Sequence, residues 1–192
     1  QLSFTIFIFF ETWLVPIEGW AVDKFGPRPV IMFGAIMATI GWVMYSWASS
    51  LAFLYAAAVI TGMGAGAVYG TCSGNSLKWF PDKRGLAAGA TAAGFGAGAA
   101  FTVVPVANMI NSSGYEQAFF VFGILQGIVI FCCAIFMPRA KLPPGTKAVP
   151  RVISSKKDFT PTQIVRQPIF WLIYVCLVGV ASGGIMATAS FG

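Results

Sequence analysis

Six long apolar stretches limit what this 192-residue chain can fold into more than any other feature. A helix that crosses the hydrocarbon core of a bilayer needs ~20 apolar residues, because the core is ~30 Å thick and a helix rises ~1.5 Å per residue. In lipid a helix satisfies its own backbone hydrogen bonds, and the stretches lack the alternating pattern of a membrane β-barrel. The sequence therefore predicts an all-α membrane protein, a bundle of six transmembrane helices at 2–22, 29–48, 51–76, 85–111, 117–138 and 168–191.

The composition excludes most soluble classes of protein. Hydrophobic residues make up 57% of the chain and charged residues 9%, against roughly 25% charged in an average soluble domain. Histidine is absent, and the four cysteines lie in apolar runs without metal-ligand spacing. Free cysteines in such runs usually pack as small apolar groups. We therefore expect neither an enzyme nor a metal or other cofactor.

The basic residues predict the orientation of the helices. All 12 Lys and Arg residues follow the first, third or fifth stretch, and the intervening loops contain none. Basic loops of membrane proteins lie on the cytoplasmic side. Loops 23–28, 77–84 and 139–167 are thus predicted to be cytoplasmic, with the chain in the plasma (inner) membrane. The net charge of +6 then reflects topology, and we expect no nucleic-acid partner.

Residues 139–167 form the one long polar segment, with four prolines and seven basic residues, a composition typical of a linker. We predict a transmembrane half at 1–138, a cytoplasmic linker at 139–167 and the first helix of a second half at 168–192. Within the linker, Pro161 fits the first turn of a short helix capped by Asp158 or Thr160. The predicted orientation calls for a further helix before Gln1, so we expect a fragment whose partners include the rest of its own chain.

The first basic loop carries a recognisable motif, GWAVDKFGPRP at residues 19–29. It resembles the signature G-x-x-x-D-[RK]-x-G-x-[RK] of the major facilitator superfamily. The alternative interpretation is an ordinary tight basic turn. The resemblance implies a loop that latches two halves of a transporter in one conformation; the positions that fit it are Gly19, Asp23, Lys24, Gly26 and Arg28.

A second motif, KWFPDKRGLAAGATAAGFGAG, spans residues 78–98. Its charged turn contains Asp82, a candidate N-cap, followed by Lys83, Arg84 and Gly85. Together with VYG at 68–70 and VDKFGPR at 22–28, it resembles the oxalate:formate antiporter family of the same superfamily. The resemblance implies helices two to seven of twelve, and transport of small carboxylates through a cavity between two six-helix halves.

The candidate cavity residues come from the resemblance and from position. Tyr69 matches a cavity tyrosine of the family, and Phe95 stands where the family often has tyrosine. Glu11 lies twelve residues before Asp23, ~18 Å along a helix and near mid-membrane. Intramembrane acids usually face a cavity or a partner. We therefore expect Glu11 to make a structural hydrogen bond between helices, with a proton-coupling or cavity role as the alternative. Thr91 and Tyr174 complete the set.

Glu18 lies nearer the interface than Glu11. Lys24 and Arg28 are its candidate ion-pair partners there.

Glycines at four-residue spacing mark the third stretch. Such small-xxx-small surfaces let helices approach closely in lipid. We expect helix packing, or sliding of packed helices during transport, at Gly62, Gly66, Gly70 and Gly74 and, on the fourth stretch, at Gly89, Gly94 and Gly98.

The resulting functional hypothesis is a secondary active transporter that exchanges small organic anions of the oxalate/formate type by alternating access. A proton-coupled monocarboxylate symporter is the first alternative and would use protons as well as anions. A membrane sensor or structural subunit without transport is a more distant one.

Overall fold

A computed structural model describes residues 2–138, 161–176 and 178–179, which fall in two compact units. The larger unit contains α1 (Leu2–Trp13), α2 (Val15–Phe25), α3 (Pro27–Ser46), α4 (Leu51–Trp79), a 3₁₀ turn (Pro81–Lys83), α5 (Arg84–Ser113) and α6 (Tyr115–Phe136). The smaller contains α7 (Pro161–Val165) and further helical residues at 168–176 and 178–179. The described part of the chain has no strand, and the predicted all-α membrane fold is confirmed.

Four helices of the larger unit, α3 to α6, are long and apolar enough to cross a membrane. The pair α1 and α2 makes a fifth span if the two are counted as one helix with a bend of 44°. Of the sixth predicted span, 168–191, the structure describes a helical start, and the remainder lies outside the described residues.

The prediction of one continuous helix over 2–22 is wrong, because the helix breaks at Leu14. Pro16 explains the break. Its ring removes a backbone donor and clashes with the carbonyl group four residues earlier in a regular helix. A new helix therefore starts, in which the amide groups of Ile17 and Glu18 both donate to Leu14 O at 2.9 and 3.0 Å.

Glycines make two of the helix connections, and a serine caps a third. Gly26 and Gly114 adopt φ values of 93° and 86°, a conformation that L side chains rarely adopt. At the start of α4, Ser50 Oγ accepts a hydrogen bond from Phe53 N at 3.3 Å. Asp82 is not an N-cap as predicted: it lies within the 3₁₀ turn, and Lys83 occupies the N-cap position of α5 without a capping side chain.

The core of the larger unit lies where α3 packs against α4 and α6, and small residues build it. An added Cβ at Gly64 would lie 2.7 Å from Gly34 O and 2.9 Å from Ala38 Cα. Likewise, Gly41 sits directly against Thr61, and Gly127 against Thr39. Both threonine hydroxyls donate to carbonyl groups four residues earlier at 2.7 Å, so close packing leaves neither donor unpaired.

The smaller unit has its own local contacts. Its helix α7 begins at Pro161, which confirms the short helix predicted there. The indole nitrogen of Trp171 donates to Val165 O at 2.8 Å. Most of the predicted linker, including Asp158 and Thr160, lies outside the described residues, so the boundaries at 138 and 167 stay predictions.

Candidate functional site

The clearest grouping of predicted cavity residues is an aromatic pair on α4 and α5. The rings of Tyr69 and Phe95 lie 5.1 Å apart between centroids and are tilted by 58°. Both side chains remain accessible, with 37% and 60% of their surface exposed. We call this pair the aromatic face. It offers a phenol hydroxyl beside an apolar ring, a combination suited to holding a small molecule with one polar end.

Thr91 lies one helical turn before Phe95, and its hydroxyl is engaged. It donates to Ala87 O at 2.9 Å and lies 3.2 Å from Ser76 Oγ on α4. Ser76 Oγ in turn donates to Ser73 O at 2.8 Å. This hydroxyl contact ties α4 to α5 one turn away from the aromatic face, so Thr91 is placed to hold the two helices together.

The glycines Gly62, Gly66 and Gly70 of α4 pack against α1 and α2. An added Cβ at Gly62 would lie 2.5 Å from Phe7 O, and one at Gly66 would lie 2.7 Å from Glu11 O. At Gly70 the nearest atom is a carboxylate oxygen of Glu18, at 3.7 Å. No atom of the described residues comes within 4 Å at Gly74. Glu11 itself is half-buried on α1.

Glu18 is the residue that sequence reasoning placed wrongly. Its carboxyl group lies against Gly66, whose added Cβ would be 3.1 and 3.2 Å from its two oxygens, and its Oε2 is buried without a hydrogen-bond partner among the described residues. The candidate partners Lys24 and Arg28 are engaged elsewhere. Glu18 follows Glu11 by seven residues, about two helical turns, and both residues lie against Gly66 of α4 despite the break at Leu14.

The signature loop is tied to two other helix ends. Lys78 Nζ, on α4, pairs with Asp23 Oδ1 at 2.8 Å, and both side chains are largely exposed. Arg28 Nε donates to Met137 O at 2.6 Å, just after α6. The buried amide of Asn75 reaches Pro138 O at 3.4 Å. We call these three contacts the basic-end network. No motif in the sequence indicates Lys78 or Asn75 as a partner of the loop.

The other predicted residues lie apart from these contacts. Lys24 stands over the rings of Trp20 and Phe25, at 4.9 and 5.3 Å from their centroids. Tyr174, in the smaller unit, stacks on Phe170 at 6.2 Å. Five of the predicted glycines are exposed, and no described atom lies within 4 Å of a Cβ added to any of them. They are Gly19, Gly85, Gly89, Gly94 and Gly98. Asp82, Lys83 and Arg84 are also exposed.

A sequence profile described as Major Facilitator Superfamily matches residues 1–191. The chain belongs to the major facilitator superfamily. Its helical architecture and its signature loop are thereby explained together, and the chain is a multi-pass membrane protein.

Named relatives agree with this assignment. The chain is 34% identical to the oxalate:formate antiporter of Oxalobacter formigenes, over 99% of this chain and 45% of that protein. It is 28% identical to the probable sulfoacetate transporter SauU of Cupriavidus necator, over 65% of this chain and 29% of the relative. Human monocarboxylate transporter 11 is also 28% identical, over 71% of this chain and 29% of that protein. The chain thus spans less than half the length of these relatives, and the resemblance to the oxalate:formate antiporter family is confirmed.

Proposed function

We propose that this chain belongs to a secondary active transporter that exchanges small organic anions of the oxalate/formate type by alternating access. The observation that carries the proposal is the 34% identity to an oxalate:formate antiporter over 99% of the chain. Other relatives are named for sulfoacetate and monocarboxylates. A small carboxylate or sulfonate anion is the substrate class that these names have in common.

The aromatic face supports this proposal as a substrate surface. The Tyr69 hydroxyl is a donor that a carboxylate oxygen accepts readily, while the Phe95 ring covers the apolar side of a small anion. Neither ring belongs to the tightly packed core between α3, α4 and α6. We propose that Tyr69 and Phe95 contact the substrate and that Thr91 holds α4 and α5 in register beside them. Glu11 and Tyr174 remain proposed cavity residues on the strength of the sequence.

The basic-end network supports a conformational role for the signature loop. Two of its contacts, both exposed, join α2 to α4 and the start of α3 to the end of α6. Such contacts exchange readily with water, because an exposed ion pair is weak. We propose that these contacts, which all lie within the half at 1–138, position the signature loop and so favour one of the two conformations between which the halves rock.

Counterflow in proteoliposomes tests the proposed function. The full-length gene product carrying this sequence is reconstituted, and the vesicles are preloaded with unlabelled oxalate or formate. Labelled oxalate should then accumulate saturably without any pH gradient. Protein-free liposomes provide the baseline, and uptake no greater than this baseline for every small carboxylate tried would contradict the proposal and favour a non-transporting role.

Proton-coupled monocarboxylate symport is the second candidate, favoured by the relatives named as monocarboxylate transporters and by the two acids on α1 and α2. The same vesicles separate the two mechanisms. Exchange needs anion on both sides and ignores an imposed pH gradient. Symport fills empty vesicles when the outside is acidic.

Cysteine labelling tests the proposed orientation in the plasma (inner) membrane. We expect Ser50→Cys and Ser113→Cys to react with an impermeant reagent from outside intact cells. Ser154→Cys and Lys78→Cys should react only after permeabilisation. Labelling of Ser154→Cys in intact cells would reverse the proposed cytoplasmic side of loops 23–28, 77–84 and 139–167.

A further inference from the structure

Glu18 occupies an unusual position for an acidic residue. It lies at the elbow between α1 and α2 and borders a cavity of about 290 Å³ between α2, α3 and α4. Glu18 is the one ionisable residue in the described lining, and the residues around it are apolar, among them Leu14, Ile17, Phe33 and Met63. On the side of this cavity, apolar side chains take the place of water around the carboxyl group.

The opposite side of the carboxyl group faces glycine. Gly66 and Gly70 form a notch on α4, and the carboxyl oxygens of Glu18 border it. Glu11 O borders Gly66 as well. The notch therefore presents backbone to the acid, and Oε2 has no hydrogen-bond partner among the described residues. An ionised carboxylate accepts hydrogen bonds only, whereas a protonated one also donates, so this setting favours the protonated form.

Among the described residues, no charged group on the surrounding helices forms an ion pair with Glu18. The charged groups near the cytoplasmic end have other partners: Asp23 with Lys78, Arg28 with Met137 O, and Lys24 with aromatic rings. None of them is a hydrogen-bond partner of Oε2 among the described residues. The remaining titratable side chains that these helices carry are Glu11 on α1, Tyr45 on α3, and Tyr55, Tyr69 and Cys72 on α4.

We propose that the Glu18 carboxyl group is a proton-binding site, which holds α2 in the glycine notch of α4 when protonated and releases it when ionised. The physical reason is linkage between proton binding and conformation. Water stabilises the ionised acid, so loss of the proton favours an opened elbow in which the group is hydrated. A break at Leu14 between two short helices provides the hinge for that movement.

Oxidative crosslinking across the notch tests the proposal. Val15 lies 3.9 Å from an added Cβ at Gly70, so the pair Val15→Cys and Gly70→Cys reports the closed elbow. It is introduced into the full-length gene product after Cys72, Cys132, Cys133 and Cys176 are replaced by serine. Crosslinking is followed from about pH 5 to about pH 9, the range in which buried carboxyl groups lose their proton.

The matched control is the same pair with Glu18→Gln, which has nearly the same shape and no charge. Because thiol reactivity rises with pH in both proteins, their ratio isolates the effect of Glu18. We expect crosslinking of the pair with Glu18 to fall about fivefold relative to the Glu18→Gln control as the pH rises, the lower end of ordinary coupling. Superimposable pH profiles of the two proteins would overturn the proposal. A pH dependence of crosslinking that Glu11→Gln removes and Glu18→Gln does not would overturn it as well.

A second measurement uses the protein without engineered cysteines. An apolar carbodiimide adds the O–H of a protonated carboxylic acid across one of its C=N bonds, and peptide mass spectrometry locates the adduct. The apolar cavity should admit the reagent, giving an adduct on Glu18 that decreases as the pH rises. Absence of that adduct at acidic pH would overturn the proposal. Neither readout requires transport, so failure of anion exchange would count against the proposed function alone.

Discussion

Helices α4 and α5 are nearly equal in length and composition, yet they pack in opposite ways. They contain 29 and 30 residues, with five glycines each. Nine residues of α4 are buried, whereas Ala87 is the one buried residue of α5. Glycines of α4 meet α1, α2 and α3, whereas those of α5 have no described atom within 4 Å of an added Cβ.

The comparison shows that glycine spacing and glycine packing are separate properties. A small-xxx-small pattern permits close approach, but a neighbouring helix must present a complementary surface. In α4 that surface is backbone, at Gly34 O and Ala38 for Gly64 and at Phe7 O for Gly62. The open side of α5 instead carries Phe95, half of the aromatic face. We therefore expect substitutions at the packed glycines of α4, Gly62, Gly64 and Gly66, to change stability, and substitutions on the aromatic face to change transport.

The strongest test of this contrast is Gly64→Ala. Its added methyl group would press on the backbone of α3 at 2.7–2.9 Å, and backbone moves less easily than a side-chain end. We expect a loss of about 2 kcal/mol in the free energy of unfolding, within the usual range for overpacking, measured by denaturation in detergent. Gly74→Ala on the same helix, where no described atom lies within 4 Å, is the matched control. Equal stability of the two variants would refute the assignment of α4 as a packed helix.

Tyr69→Ala should affect transport more than stability. The residue is accessible on the aromatic face and lies outside the buried core. We expect about a tenfold lower exchange rate at low substrate concentration, equivalent to ~1.4 kcal/mol, with a nearly unchanged unfolding curve. Phe101→Ala, also on α5 and 80% exposed, is the control and should leave exchange unaffected. A Tyr69→Ala protein with normal exchange kinetics would remove the aromatic face from the proposed site.

The basic-end network should contribute little to stability. Asp23 and Lys78 are 72% and 50% exposed at the side chain, so screening by water limits their pairing to about 0.5 kcal/mol. A double-mutant cycle with Asp23→Asn and Lys78→Met measures that coupling in unfolding experiments. We expect each single variant to impair exchange while it inserts and folds normally. Coupling above about 2 kcal/mol, or normal exchange in Asp23→Asn, would contradict a conformational role for the pair.

The smallest effect is expected on the open side of α5. Gly98→Ala adds a methyl group that meets no described atom within 4 Å, so unfolding should change by no more than about 0.5 kcal/mol. Gly62→Ala, whose methyl group would meet Phe7 O at 2.5 Å, is the contrasting variant on α4. A large loss of stability in Gly98→Ala would show that α5 packs as tightly as α4.

The sequence alone determined the helical membrane fold, the family and the turn between α2 and α3. Long apolar stretches admit one backbone solution in lipid, and the motif at residues 19–29 belongs to a loop whose spacing is local to the chain. Gly26 illustrates this, because its positive φ serves a turn between adjacent helices. Pro16 also indicates the break in the first span, although the continuous apolar run by itself predicts an unbroken helix there.

Tertiary structure decided which residues meet across helices. Sequence spacing places Glu18 near Lys24 and Arg28, but in the structure its carboxyl group lies against Gly66 and Gly70 on α4. The partner of Asp23 is Lys78, 55 residues away, and Tyr69 meets Phe95 across two helices. Helical periodicity specifies a face of one helix, whereas a contact depends on the angle and depth at which a second helix packs against it. That angle depends on side chains from both helices, and no single stretch of sequence contains them.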